Sequence, residues 1–377
     1  MDDGFDGVGG LHQKEVNTGH ISWIGLPSTP LGMSRHGEGN DRRQVMKDKL
    51  TTAFLIAPVL VLMLVLCLGS FVADAQQSTV PRVGFLAGGS PPAFQHLIEA
   101  FRQGMRERGY IDGHDFVIEI RAAEGRFDRL PGLAADLVRS KVDVILVGAT
   151  APLRAAKDAT NTIPIVIAGV GDPVGTGFIA SLERPGGNIT GLAGSAVAKT
   201  RLLELIKEAV PTMSRLAVLA NPGDAGAVRS VKDWQVVASA AGIEARPFEV
   251  DKPDGFEEAF ADMARARADT LVVVGDALMF SSRARIVSLA SNNRLPAMYP
   301  QKEYVNAGGL ISYGTDLADI FRRSAGHVDK ILKGANPAEL AVELPTKYEF
   351  AINLATAKAL GLTIPASLRA KADRLVE

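Results

Sequence analysis

Small, polar and acidic residues recur in this chain at the ends of apolar runs: Gly88–Ser90, Gly148–Thr150, Gly169–Asp172, Ser195, Asn221–Asp224, Gly275-Asp276 and Tyr313. Such groups suit the holding of a small ligand. Helix starts at Ser90 and Thr150 would offer unpaired N–H groups to a carboxylate. Asp224 or Asp276 would receive an ammonium group, and Tyr299 and Tyr313 would line an apolar portion. The candidate ligand residues are therefore Gly89, Ser90, Gly148, Thr150, Gly171, Asp172, Ser195, Asn221, Asp224, Asp276, Tyr299 and Tyr313. Each also has a plain structural role as an N-cap or turn former, which strand–helix junctions need in any case.

Other chemistries fit less well. Gly169-Val170-Gly171-Asp172-Pro173-Val174-Gly175 has the spacing G-x-G-x-x-x-G, not that of a dinucleotide loop. Asp172 would put a carboxylate where a pyrophosphate goes, and Pro173 removes an N–H donor. There is no G-x-S-x-G elbow, no H-E-x-x-H pair and no P-loop. His96, His114 and His327 are isolated, so no base–nucleophile pair can be assembled from neighbours. The pattern favours a binder over an enzyme, with no catalytic residue, cofactor or metal called for. Trp234, spaced helically with Val231 and Val237, reads as core. Few stacking aromatics also count against a sugar ligand.

Stepping along the chain, strand and helix alternate. Predicted strands are Arg82–Ala87, Phe116–Ala122, Val142–Val147, Pro164–Ala168 and Asn188–Gly194, then Leu216–Ala220, Glu244–Val250, Thr270–Val274, Ala297–Tyr299 and Leu310–Tyr313. Val142–Val147 is continuously apolar, as in a strand covered on both faces. Helices fall between them; in the first, Phe94, Leu97, Ile98, Phe101 and Met105 recur at three and four, with Gly109 as its stop. Met279–Asn292 and Leu317–Leu332 are also read as helices, and Tyr348–Leu360 as the last one. The expected fold class is α/β, with two doubly wound parallel-sheet lobes around a cleft. Ligands in such sheets sit beyond the carboxyl ends of the strands. The lobes are expected at 80–194 plus about 315–335, and at 195–314 plus about 336–377.

The front of the chain differs. Its 377 residues, 47% hydrophobic and 22% charged, suggest two to three domains at about 150 residues each. A net charge of −1 argues against a nucleic-acid partner. Residues 1–45 are polar and Gly-rich without apolar period, and are expected to be disordered. At Met46 the pattern changes: Lys47 and Lys49 precede an uncharged run, Leu50–Ala73, that ends in Ala73-Asp74-Ala75. A basic start, an apolar stretch and a small-residue exit make residues 46–75 a secretory signal cleaved after Ala75. Met46 is then the expected start, with Met1–Val45 a non-native upstream extension. The run is also long enough for an uncleaved anchor, and Cys67 would serve a lipoprotein, although Leu66 stands where a small residue is wanted. Cleavage leaves 302 residues with 35 of the 41 Lys/Arg, 34 of the 42 Asp/Glu and no cysteine. Such a chain relies on its core, not on disulfides.

Several strings together resemble a known family. They are Arg82–Ala87, Gly171-Asp172-Pro173-Val174, the run Leu182–Gly191 (LERPGGNITG), Gly308–Gly314 (GGLISYG), and Tyr348-Glu349-Phe350 with Thr356–Pro365 (TAKALGLTIP). Over nearly all of 80–377 the chain resembles the solute-binding proteins of ABC transporters with the type I periplasmic-binding fold. The similar branch includes tryptophan- and tyrosine-type binding proteins and members of unknown ligand. The resemblance implies two lobes that close on a small solute, an amino acid or similar, and dock on an ABC permease. The implied location is periplasmic, with membrane contact only through the signal segment or permease. A ligand-sensing ectodomain and an enzyme on a two-lobe scaffold are the other classes this pattern admits. A transcription regulator would need a helix-turn-helix where the signal segment stands.

Overall fold

The computed structural model describes residues 80–194 and 197–377, with Met63 alone from the chain before them. The expectations for 1–45, for the signal segment with Ala73 and Ala75, and for Ser195 fall outside the described residues.

The first lobe begins with β1 (Arg82–Ala87) and α1 (Pro91–Arg106), followed by β2 (Val117–Ala122), α2 (Leu130–Arg139), β3 (Val144–Val147), α3 (Thr150–Ala159), β4 (Ile165–Val170) and β5 (Ile189–Ala193). Its sheet has the order β2-β1-β3-β4-β5, and every pairing is parallel. β3 is buried along its whole length, as its unbroken apolar run requires. On α1 the buried side chains include Phe94, Leu97, Ile98, Phe101 and Met105, one stripe of the helix.

The second lobe continues with α4 (Lys199–Ala209), β6 (Arg215–Ala220), α5 (Ala225–Ala240), β7 (Glu244–Glu249), α6 (Phe256–Arg265) and β8 (Thr270–Val273). Then come α7 (Ala277–Ser281), α8 (Arg283–Asn292), β9 (Ala297–Tyr299), α9 (Lys302–Asn306) and β10 (Ile311–Thr315). The helix α10 (Leu317–Leu332) leaves this lobe and packs on α1, β4 and β5 of the first. The chain then returns through β11 (Tyr348–Asn353), α11 (Leu354–Ala359), α12 (Ala366–Arg369) and β12 (Arg374–Val376). The second sheet runs β12-β11-β10-β9-β8-β6-β7. The chain thus passes between the lobes after Ala193, after Thr315 and again before Tyr348. On that last passage the Thr190 hydroxyl donates to the Leu340 carbonyl at 2.7 Å.

Three expectations need correction. The sheets are not both purely parallel: β11 runs antiparallel to β10, with Tyr313 opposite Phe350 and Ile311 opposite Ile352. And Tyr348–Leu360 is not one helix. Asn353 accepts a hydrogen bond from the Thr356 N–H at 2.8 Å and caps a helix that starts only at Leu354. The aromatic and β-branched residues before the cap pair as a strand instead. Met279–Asn292 likewise divides, at Ser282, into α7 and α8.

Three apolar clusters hold the molecule together. One fills the side of the first sheet under α2 and α3, with Leu137, Ile145 and Leu153. A second lies in the outer half of the second lobe, around Trp234, Val218 and Phe350. The third is continuous from Phe85, Phe94 and Phe321 in the first lobe to Leu278, Phe280 and Phe256 in the second. The lobes therefore meet over a shared apolar seam. Among the described residues no helix is long and apolar enough to cross a membrane, and no cluster of His, Cys, Asp or Glu is arranged to hold a metal ion.

Candidate functional site

Where the carboxyl ends of the two sheets face each other there is a cavity of about 120 Å³. The first lobe contributes Gly88-Gly89 and Gly148–Thr150 from the junctions after β1 and β3, and Gly169–Gly171 from the end of β4, with the rings of Phe85 and Phe94. Helix α10 adds Leu317 and Phe321. From the second lobe come Asp224, Gly275, Asp276, Ala277, Phe280, Ser281 and Gln301. The loops are short because parallel strands feed helices directly, so each strand end delivers two or three residues to one place.

The lobes are closed on each other. A Cβ added at Gly89 would lie 1.7 Å from the Ser281 Oγ, and one at Gly88 would lie 2.7 Å from the Ala277 Cβ. Only glycine permits this approach of β1's loop to α7. At the rim the Arg229 Nη1 is 3.0 Å from the Asp172 Oδ2, an ion pair between lobes. On α1 and α9, His96 Nε2 and Glu303 Oε1 stand 3.4 Å apart, again across the lobes.

The acidic residues define the electrostatics. Asp224 is buried and caps α5, its Oδ1 accepting from the Ala227 N–H at 2.9 Å. The Thr150 hydroxyl and the Ala151 N–H, at the start of α3 in the opposite lobe, also favour its charged form. Burial outweighs these partners and raises the Asp224 carboxyl above the ordinary range. Asp276 caps α7 by accepting from the Met279 N–H at 2.7 Å, and Asn221 Nδ2 donates to its Oδ2 at 2.6 Å. Burial first, with the nearby charge of Asp224 adding to it, pushes the Asp276 carboxyl up to about 7. Beside it the Tyr304 hydroxyl is buried with no hydrogen-bond partner, and the Gln301 Oε1 is likewise buried and unpartnered. Burial, then the charge of Asp276, raises the Tyr304 hydroxyl.

Of the residues expected from sequence, Gly89, Gly148, Thr150, Gly171, Asp224 and Asp276 line the cavity. Asn221 stands behind it, orienting Asp276. Ser90, Asp172, Tyr299 and Tyr313 do not line it. Ser90 precedes α1 without a side-chain cap bond. Asp172 adopts a φ of +37° and turns to the rim, accepting from the Gly175 N–H at 2.8 Å and pairing with Arg229. Tyr299 is stacked on Tyr304 at 4.9 Å between centroids, inside the core. Tyr313 packs against Tyr348 and Phe350 on the other side of the sheet. Sequence reasoning missed the apolar wall of Phe85, Phe94, Phe280 and Phe321, and also Gln301. Phe280 had a signal, since it stands one helical turn after the cap Asp276.

The sequence model of the family described as "ABC transporter substrate binding protein" matches residues 83–376. The chain belongs to this family. A curated relative, the tyrosine-binding protein of Clostridioides difficile (strain R20291), is 26% identical over 271 residues, which are 72% of this chain and 78% of the relative. Among solved structures, a conserved domain protein of Vibrio cholerae is similar with a TM-score of 0.74 and 29% identity, over 79% of this chain and 100% of that one. The ABC domain of Streptococcus pneumoniae in complex with L-Trp gives a TM-score of 0.73 and 25% identity, over 79% and 100%. As an ABC substrate-binding protein, the chain shares the two-lobe α/β architecture of these neighbours.

Proposed function

We propose that this ABC substrate-binding protein is exported to the periplasm, captures a small organic solute in the interlobe cavity and delivers it to an ABC permease. The observation that carries the reading is the cavity itself: bounded by both lobes, and lined by strand-end loops with two buried carboxylates. The names of the relatives, with tyrosine and tryptophan, support an amino-acid-sized organic solute. The solute need only bind the closed form better than the open one to draw the lobes together. The closed form then presents both lobes in a fixed relation to the permease. The proposed ligand residues are the six that line the cavity from the sequence set, with Asn221 as a support, and the proposed lobes are 80–194 with about 315–335 and 195–314 with about 336–377.

Two experiments test this. Thermal-shift screening against amino acids, aromatic acids and nucleosides should find a ligand that stabilises by about 2.7 kcal/mol at a hundred times its dissociation constant. A screen in which no small solute moves the melting point would sink the capture reading. N-terminal sequencing of the exported protein should begin at Gln76; a first residue far from it rules out cleavage after Ala75.

A further inference from the structure

An edge strand leaves one row of N–H and C=O groups free to pair with another chain. The two sheets of the described residues have four edges, and three are blunted. On β5 the Ala193 N–H donates to the Glu343 carbonyl and the Glu343 N–H to the Gly191 carbonyl, each at 2.9 Å, so the returning chain covers that edge. On β7 the N–H groups of Glu244 and Val250 turn inward, to the Ser214 and Ala220 carbonyls at 3.0 Å. That alternation sets Pro247 on the outward side, where it has no N–H to give. The strand β12 is only three residues long. The strand β2 differs from all of these: it has six residues, VIEIRA, no proline, and β1 as its one neighbour in the sheet.

We infer that β2 is the interface of a homodimer, in which a second copy of this chain pairs with it antiparallel about a two-fold axis at Ile120 and the two five-stranded sheets become one. The backbone has the right phase. The Val117 N–H donates to the Pro81 carbonyl and the Ala123 N–H to the Ala87 carbonyl, each at 2.9 Å. The odd-numbered residues of β2 therefore face β1, and Ile118, Ile120 and Ala122 turn their N–H and C=O groups outward. The Ile120 carbonyl accepts from the Arg121 Nη1 at 3.1 Å, a side chain standing in for a neighbouring strand. In a pair centred on Ile120, these three residues occupy the positions that exchange hydrogen bonds: Ile120 with Ile120, and Ile118 with Ala122 on either side.

The side chains select this register over its neighbours. Moving the axis to Glu119 would oppose two carboxylates, and moving it to Arg121 would oppose two guanidinium groups. Centred on Ile120, Glu119 stands across from Arg121 twice, at the closer, non-hydrogen-bonded positions. Within one copy Glu119 pairs with Arg82, and the Arg121 Nη2 lies 3.4 Å from its Oε2. The Arg121 of the second copy joins this cluster from across the axis, and the Ile120 carbonyl is released to the new strand. The Ile120 side chain, 38% exposed in the single copy, then meets its own counterpart. No residue of β2 lines the interlobe cavity, so the dimer leaves the solute site free and stands apart from that reading.

The test is sedimentation velocity over a concentration series of the exported protein, with the melting point of each variant as a check on folding. The wild type should dimerise reversibly. Glu119→Lys opposes cations across the axis and Arg121→Glu opposes carboxylates, so each alone should raise the dimer dissociation constant at least about tenfold. Mixed together, the two variants are complementary again and should form a heterodimer. Ile120→Lys, at an exposed side chain, breaks the dimer while leaving the pairing of Glu119 with Arg82 in place. A wild type that stays monomeric at every concentration, a dimer that these variants leave intact, or a mixture that fails to associate overturns the inference.

Discussion

The two lobes build opposite sides of one cavity by different means. The first offers main chain and rings: Gly88-Gly89, Gly148, Gly169, Gly171, Phe85 and Phe94, with Phe321 from α10. The second adds one ring, Phe280, and supplies the charge and most side-chain hydrogen-bonding groups: Asp224, Asp276, Ser281 and Gln301. The contrast follows from what each residue does locally. The second lobe's acids cap α5 and α7 and so are fixed by the turns they close. Phe85 and Phe321 belong to the apolar seam and are fixed by packing. The first lobe therefore sets the shape of the site and the second its charge, and changes in either should fail in distinguishable ways.

The largest effect is expected from shape. Gly89→Val puts a branched side chain where the Ser281 Oγ already stands, so the lobes cannot close. Calorimetric affinity for any solute of this site should fall at least a hundredfold, about 2.7 kcal/mol. Because that clash exists only between lobes, the melting point of the ligand-free protein should change little. Undiminished binding would mean that closure is not needed.

Charge should appear as a pH dependence. The Asp276 carboxyl lies at about 7 in the folded protein and near 3.8 otherwise, so the folded state holds its proton more tightly. Its contribution to stability is complete below about pH 4 and is lost as pH rises towards 7. His327, whose burial lowers it from 6.5, works in the other direction. Comparing wild type with Asp276→Asn removes that background. In urea unfolding, the variant's stability relative to wild type should rise by a few kcal/mol between pH 4 and pH 8. A flat difference would show that Asp276 titrates normally.

The smallest effect is expected at the rim, where neither lobe's cavity wall is touched. Arg229 and Asp172 are each about half exposed, at 55% and 53%. Arg229→Ala should cost at most about 1 kcal/mol of closure and weaken affinity only a few-fold, with less effect still in high salt. A loss as large as that of Gly89→Val would make the pair a true latch and undo the division between shape and charge.

Much of this architecture was legible in the chain. Apolar runs bounded by Gly and polar residues located most strands within a residue or two, because a strand covered on both faces has few other compositions. The cavity's glycines and acids were legible as strand-end residues. Position along a strand does not reveal which face a side chain takes once lobes dock, however. Tyr299 went into the core beside Tyr304, and Tyr313 to the far face. Asp172 lost its predicted place to a left-handed backbone turn. Phe321 could not have been placed, since it reaches the cavity from a helix that follows the second lobe's strands in sequence. The misread segment at Tyr348 illustrates a local ambiguity: short apolar stretches suit strand or helix until a cap such as Asn353 decides the boundary.

That late helix also constrains how the protein reaches its native state. The first lobe's sheet is complete at Ala193, yet α1 is covered by α10 at Leu317–Leu332. The Tyr110 hydroxyl donates to the Asp329 Oδ1 at 2.9 Å across 219 positions of sequence, and Arg322 pairs with Glu107 across 215. Contacts so distant along the chain are slow to form. The amino-terminal lobe therefore gains its full set of contacts only once α10 has been made, when all but the final 45 of the 377 residues are in place.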